Sequence, residues 1–150
     1  MYTRQEASLI RKKFWTSFGQ YMKPLPNADG ETINWLNYKT GIRHLYFRMD
    51  AGFEQASISV EFNHGDLPLQ QHYFEQFQQL KNILEEETGE EWQWQLHVPD
   101  EGGNIISRII TVKEEVNIFN SYDWPTIISF LKPRIMALDR FWSLVKDGFE

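Results

Sequence analysis

Two carboxylates on either side of a turn are the first residues in this chain that could do chemistry. Asp50 and Glu61 each lie in a β-patterned run, and the second run ends Glu61-Phe62-Asn63. Paired carboxylates can hold a divalent cation and activate water for phosphodiester cleavage, with a nearby Lys assisting at the reacting phosphate. Matching apolar residues across the turn pairs Phe47 with Val60 and Met49 with Ile58. Asp50 then falls opposite Ser57, about 13 Å along the strand from Glu61 and too far to share one metal. No catalytic residue is assigned.

The second group is suited to binding. Trp35-Leu36-Asn37-Tyr38-Lys39-Thr40-Gly41 mixes aromatic, amide and cationic side chains just before the hairpin. Such groups stack on bases, bind phosphate or anchor a protein partner. The candidate binding residues are Trp35, Asn37, Tyr38, Lys39 and Arg43, continued by Tyr46, Arg48 and Glu61 on the polar side of the hairpin. A Trp packed over the core with a Thr-Gly turn after it explains the same segment without a ligand.

Other chemistries lack their residues. There is no Cys, and neither a Gly-x-Ser-x-Gly elbow nor a Ser-x-x-Lys motif occurs. The glycines form no phosphate loop, so no nucleotide cofactor is implied. His44, His64, His72 and His97 are too scattered for local ligand spacing, and no metal site is expected. Asn63-His64-Gly65-Asp66 could present helix amides to an anion, but Asp66 would satisfy those amides itself and repel phosphate.

The elements that must position these residues follow from periodicity. Thr3-Arg4-Gln5-Glu6 is a capping box, and Ala7, Ile10, Phe14, Phe18 and Tyr21 continue as one helical face. Lys23 to Gly30 is a Pro/Gly-rich connector, and Trp35 to Thr40 reads as a short strand or an ordered loop. Then one pattern runs twice, a β-hairpin followed by a long amphipathic helix, over residues 41–88 and 91–146. In the first, Leu45, Phe47 and Met49 alternate against Ala56, Ile58, Val60 and Phe62. Asp66 opens a helix with the stripe Leu69, Tyr73, Phe77, Leu80 and Leu84, which Gly89 ends. In the second, Trp92 to Val98 and Ile105 to Val112 form the strands, the latter apolar on both faces and hence central or doubly covered. Asp123 is expected to cap the last helix, whose stripe is Trp124, Ile128, Leu131, Ile135, Leu138, Trp142 and Val145. Pro133 inside that stripe is expected to kink or split it.

The 150 residues suit a single α+β domain, a largely antiparallel sheet of at least four strands with three helices. The net charge of −6 conceals an asymmetry: residues 1–50 hold eight Lys/Arg against four Asp/Glu, and the rest hold seven against seventeen. Any nucleic-acid contact is therefore expected in the first third, through Lys23, Lys39, Arg43 and Arg48. Charged residues near the start interrupt any signal-peptide core, and no segment reaches membrane-spanning length, so a cytoplasmic protein with no membrane association is expected. Homodimerisation through exposed parts of Trp92, Trp94 or Trp142 is a further expectation.

If Trp35 to Tyr38 is a strand, the element order resembles the core of restriction-type nucleases, which place an Asp on the second strand and Glu-x-Lys on the third. Asp50 and Glu61-Phe62-Asn63 stand at those places, with Asn63 where the motif has its Lys, so the charged partner it implies is missing. Over nearly its whole length the chain also resembles an uncharacterised bacterial family catalogued only as a domain of unknown function. The resemblance rests on FWTSFGQYMKPLP (14–26), NYKTGIRHLYFRMD (37–50), ASISVEF (56–62), HYFEQFQQLKNIL (72–84) and VNIFNSYDWPTIISFLKPRIMALDRFW (116–142). In that family the unit occurs alone or C-terminal to nuclease-like domains. This implies domain boundaries near both chain ends and an association with DNA processing or defence, without naming a reaction. The resulting expectation is a non-catalytic interaction module whose partner is nucleic acid or protein. A divergent nuclease-like enzyme using Glu61 and a divalent cation, and a homodimeric assembly protein, are the alternatives.

Overall fold

The computed structural model describes residues 2–149, which fold as α1 (Arg4–Met22), β1 (Leu45–Ala51), β2 (Gln55–Phe62), α2 (Leu67–Gln79), α3 (Lys81–Thr88), β3 (Gln93–Pro99), β4 (Ile105–Glu114) and α4 (Trp124–Val145). Three 3₁₀ turns, Trp35–Asn37, Ser121–Asp123 and Lys146–Gly148, join or end these elements. The strands form one antiparallel sheet in the order β1-β2-β4-β3. The class is α+β, with the two hairpin-helix passes placed side by side so that β2 and β4 form the centre.

Register follows from burial. Phe47 pairs with Val60, Met49 with Ile58 and Asp50 with Ser57, as the apolar alternation predicts. Val60 in turn pairs with Ile109, so Leu45, Phe47, Ile58, Val60, Phe62 and Ile109 lie on one face and are buried. Phe62 meets Phe74 and Phe77 of α2 edge-on, at 5.7 and 5.1 Å between ring centres. Phe77 also contacts Phe141 and Trp142 of α4. α4 lies across β1 and β2, while α1 and α3 pack against α4. Edge-to-face contacts of this kind favour one arrangement of the rings beyond the area they bury.

The opposite sheet face carries Tyr46, Arg48 and Asp50 of β1, Ser57, Ser59 and Glu61 of β2, and Arg108, Ile110 and Val112 of β4. The helix contacts described above all lie on the other side. The central, two-sided apolar character of β4 is explained by this placement: Ile109 enters the core, while Ile110 is covered on the outer face by its neighbours.

Several local expectations are corrected. Four α-helices form rather than three, because Leu80 leaves helical geometry (φ −103°, ψ 10°) and divides the second helix into α2 and α3. Of the two readings of Trp35 to Thr40, a short strand or an ordered loop, the loop holds: Trp35–Asn37 is a 3₁₀ turn capped by the Asn34 carboxamide. The strand order required for the nuclease resemblance therefore does not arise. Asp123 occupies the N-cap position of α4 as expected, but its carboxylate accepts from the Asn117 amide at 2.9 Å and not from the helix, and the turn before the helix is capped by Asn120. Pro133 does not split α4, which runs unbroken from Trp124 to Val145. Tyr21 and Leu69 are exposed, while Met22, Gln70 and Phe74 take the buried places on α1 and α2.

Phe47 and Leu138 both sit in the single core, at 6% and 0% exposure. Truncating either to Ala should lower stability by about 2–5 kcal/mol through lost burial and cavity formation. Chemical denaturation of the two variants checks this, and losses below about half a kcal/mol at both positions would mean that the register or the α4 stripe is misassigned.

Candidate functional site

The residues singled out for binding separate into two places. Tyr46, Arg48 and Glu61 lie together on the open sheet face. Their row continues across the sheet, because Tyr46 pairs with Glu61, Glu61 with Arg108, and Arg108 with Gln95 of β3. The Arg48 Nε donates to Glu61 Oε2 at 2.8 Å, and its guanidinium carbon lies 4.4 Å from the Tyr46 ring centre. Arg108 Nε donates to Gln95 Oε1 at 2.6 Å. The result is a ladder of ordered polar and aromatic groups in which each arginine already has a partner. Arg108 and Gln95 escaped the sequence reading because their place in the row depends on the β2–β4 pairing between the two hairpins, which no hairpin pattern specifies.

The other predicted residues lie on the helix side, by the segment that precedes β1. Trp35 is buried, its indole N–H donating to the Leu25 carbonyl at 2.9 Å, so it is a core residue and cannot stack on a base. Tyr38 packs on Phe47 with ring centres 5.0 Å apart. Its hydroxyl donates to Asp139 Oδ1 at 2.6 Å, and Asp139 Oδ2 accepts from the Ala28 amide at 2.7 Å. Burial, reinforced by the Asp139 carboxylate, pushes the Tyr38 phenol well above its ordinary range, so it remains a donor. Asp139, buried within the apolar run of α4, was not anticipated; it pins the connector to the helix.

Asn37, Tyr38 and Lys39 line a cleft of about 430 Å³ with Asp29 and Lys146. Those two form an ion pair at 2.7 Å, and the hydrogen bonds from Lys146 and then Ser143 hold the Asp29 carboxyl below its ordinary range. Lys39 and Arg43 are exposed, in the segment that precedes β1 and outside the paired strands. Trp92 and Trp142 are buried, and the partly buried Trp94 packs edge-on against Phe74.

The carboxylates of the nuclease reading do not converge. Asp50 lies opposite Ser57 and binds its neighbour's amide, while Glu61 lies four pairs away, engaged by Arg48. Among the described residues no group of three or more His, Cys, Asp or Glu side chains is arranged to hold a metal ion.

A polar junction unforeseen in the sequence joins the start of α2 to the β3–β4 hairpin. The buried Gln70 side-chain amide donates to the carbonyls of His64 and Ile105, and its Oε1 accepts from the Ser107 hydroxyl at 2.6 Å. His64 is itself buried, stacked on Tyr73 at 4.8 Å and close to the His44 ring at 5.1 Å. Its Nδ1 has no hydrogen-bond partner among the described residues. Burial, and then the neighbouring His44, lower its pKa below the ordinary 6.5, against a smaller raising effect of Asp66.

The sign for stability follows. The unfolded imidazole takes up a proton near 6.5 while the folded one resists, so the unfolded state binds more protons in mild acid and stability falls as pH drops below that value. His64→Phe keeps the stacking on Tyr73 and removes the titration. Urea unfolding from about pH 7 to about pH 5 should show a shallower decline for the variant than for the parent. Equal slopes would mean that His64 is not a source of acid lability.

The model of a family described as Domain of unknown function (DUF4268) matches residues 10–146. No curated protein and no solved structure matches the chain.

Proposed function

The chain belongs to the DUF4268 family, and we propose that it acts as a non-catalytic interaction module whose recognition surface is the open sheet face. The observation that carries this reading is the ordered row Tyr46–Glu61–Arg108–Gln95, with Arg48 bridging Tyr46 and Glu61 on a face that the helices leave uncovered. Side chains held by one another before contact lose little rotamer freedom on binding, and Tyr and Arg are the residue types that anchor protein interfaces. The exposed Val112 beside the row supplies apolar area.

The partner is a protein rather than a bare polyanion. Arg48 is paired with Glu61 and its guanidinium covers one face of the Tyr46 ring, which reduces the cationic charge and the stacking surface offered to phosphate or a base. The resemblance to chains in which such a unit follows a nuclease-like domain supports an adaptor role within a nucleic-acid-processing or defence system, in which this module recruits a protein component.

The test places a photo-crosslinking residue at Ser57, on the open face, and separately at the exposed Leu144 of α4, in the native cell. A discrete protein adduct should form from position 57 and not from 144. Arg48→Ala and Tyr46→Ala should each weaken affinity for the captured protein, once purified, by about 1–2 kcal/mol. Purified protein with magnesium or manganese should leave DNA and RNA intact. Cleavage abolished by Glu61→Ala would overturn the non-catalytic reading. Salt-dependent binding of single-stranded DNA, lost on Arg48→Ala, would reassign the face to nucleic acid.

A further inference from the structure

β4 is longer than the strand beside it. Its pairing with β3 ends at Gln93–Ile110, whereas its pairing with β2 continues to Gln55–Glu114. Residues Thr111–Glu114 therefore have a strand on one side and an open lane of about 680 Å³ on the other. The Glu115 amide donates to the Glu54 carbonyl on the β2 side, so by alternation the backbone groups of Val112 and Glu114 point into the lane. They have no backbone partner there among the described residues.

Elsewhere the sheet edges are dressed. On β1 the Leu45 carbonyl accepts from the Thr40 hydroxyl and the Ala51 amide donates to the Asp50 carboxylate. On β3 a bulge between Gln95 and Val98 puts His97 at φ 50° and directs its amide to the Ser107 hydroxyl. Such devices resist strand addition. Beside β4 the one irregularity lies past the strand end, at Glu115 (φ 62°), where the Glu115 and Val116 amides both reach the Glu54 carbonyl on the β2 side and leave Val112 and Glu114 uncapped among the described residues.

We infer that this lane is a strand-addition site for a short extended peptide segment carrying Lys or Arg at alternate positions. Main-chain bonds to Val112 and Glu114 supply register, in the manner of peptides that extend a sheet edge. The charge of the occupant follows from the lining, where Glu91, Glu114 and Glu115 outnumber Lys113. A second copy of this chain is disfavoured, since the same glutamates would face one another. Val112 borders the open face, but the Tyr46, Arg48, Glu61, Arg108 and Gln95 side chains of the row do not line the lane, so Arg48 is the position that separates the two surfaces.

The probe is a capped hexapeptide alternating Lys and Val, with an alternating Glu and Val peptide as control, titrated into isotopically labelled full-length protein at low salt. The basic peptide should shift the Val112 and Glu114 amides and slow their hydrogen exchange, while the acidic one leaves them unchanged. The Val112 amide makes no ladder bond, so Val112→Pro should retain the circular dichroism spectrum and weaken the peptide by about tenfold. Independently of that variant, Glu91→Gln, Glu114→Gln and Glu115→Gln combined should weaken binding by up to about tenfold and flatten its salt dependence. Arg48→Ala should leave peptide binding unchanged, which separates this site from the open face. Absence of binding to the wild type, equal binding of both peptides, or full binding by the triple variant would overturn the inference. Concentration-dependent dimerisation abolished by Val112→Pro would overturn it in favour of self-pairing.

Discussion

The pairing of β2 between β1 and β4 is the constraint on which the rest depends. Side chains on a strand alternate faces, so a slip of one residue would turn Ala56, Ile58, Val60 and Phe62 away from the core and turn Ser57, Ser59 and Glu61 into it. Burying Glu61 without water or a matched cation would cost several kcal/mol, and the aromatic cluster under Phe62 would lose its keystone ring. Once this register is set, the helices have only one face on which to pack. The other face is then necessarily polar, and Arg48, Glu61 and Arg108 are brought into one row from three strands.

Irregular segments are held by a different means. The connector between α1 and β1 is too rich in Pro, Gly and polar residues to position itself, yet it carries Trp35 and Tyr38 into the core. Its anchor is Asp139, which accepts from a side-chain hydroxyl and a backbone amide at once. A buried carboxylate so satisfied tolerates one arrangement of its donors and penalises others. Gln70 performs the same service at the other end of the sheet, joining the start of α2 to β4 through Ile105 and Ser107.

These two means explain what the sequence disclosed. The hairpin register was legible because apolar alternation and burial are the same fact, and the capping box at Thr3 and Glu6 was legible because its partners are three residues apart. Tyr38 with Asp139, and Arg108 with Glu61, join residues far apart in the chain, and no local pattern marks them. Trp35 illustrates the consequence: its neighbours Asn37 and Lys39 gave it the look of a binding residue, whereas the distant Leu25 carbonyl and the core decide its place. The break at Leu80 was hidden for a related reason, since Leu80 fits the apolar stripe and only its backbone departs from the helix.

The distribution of charge gives the layers their functional meaning. The basic excess of the first third resides partly on α1, through Arg4, Arg11, Lys12 and Lys13, and α1 packs on α4 in the helical layer. Arg48 and Arg108 lie on the far side of the sheet, while the lane beside β4 is acidic. A polyanion is held by contiguous cations that track its backbone. Here the cations are divided between opposite layers, and on the sheet Arg48 is paired with Glu61 while Arg108 is hydrogen-bonded to Gln95, so they do not form one contiguous phosphate path. Matched charges arrayed beside apolar side chains and an unpaired strand edge instead suit the surface of another polypeptide, for which complementarity of both backbone and side chain governs specificity.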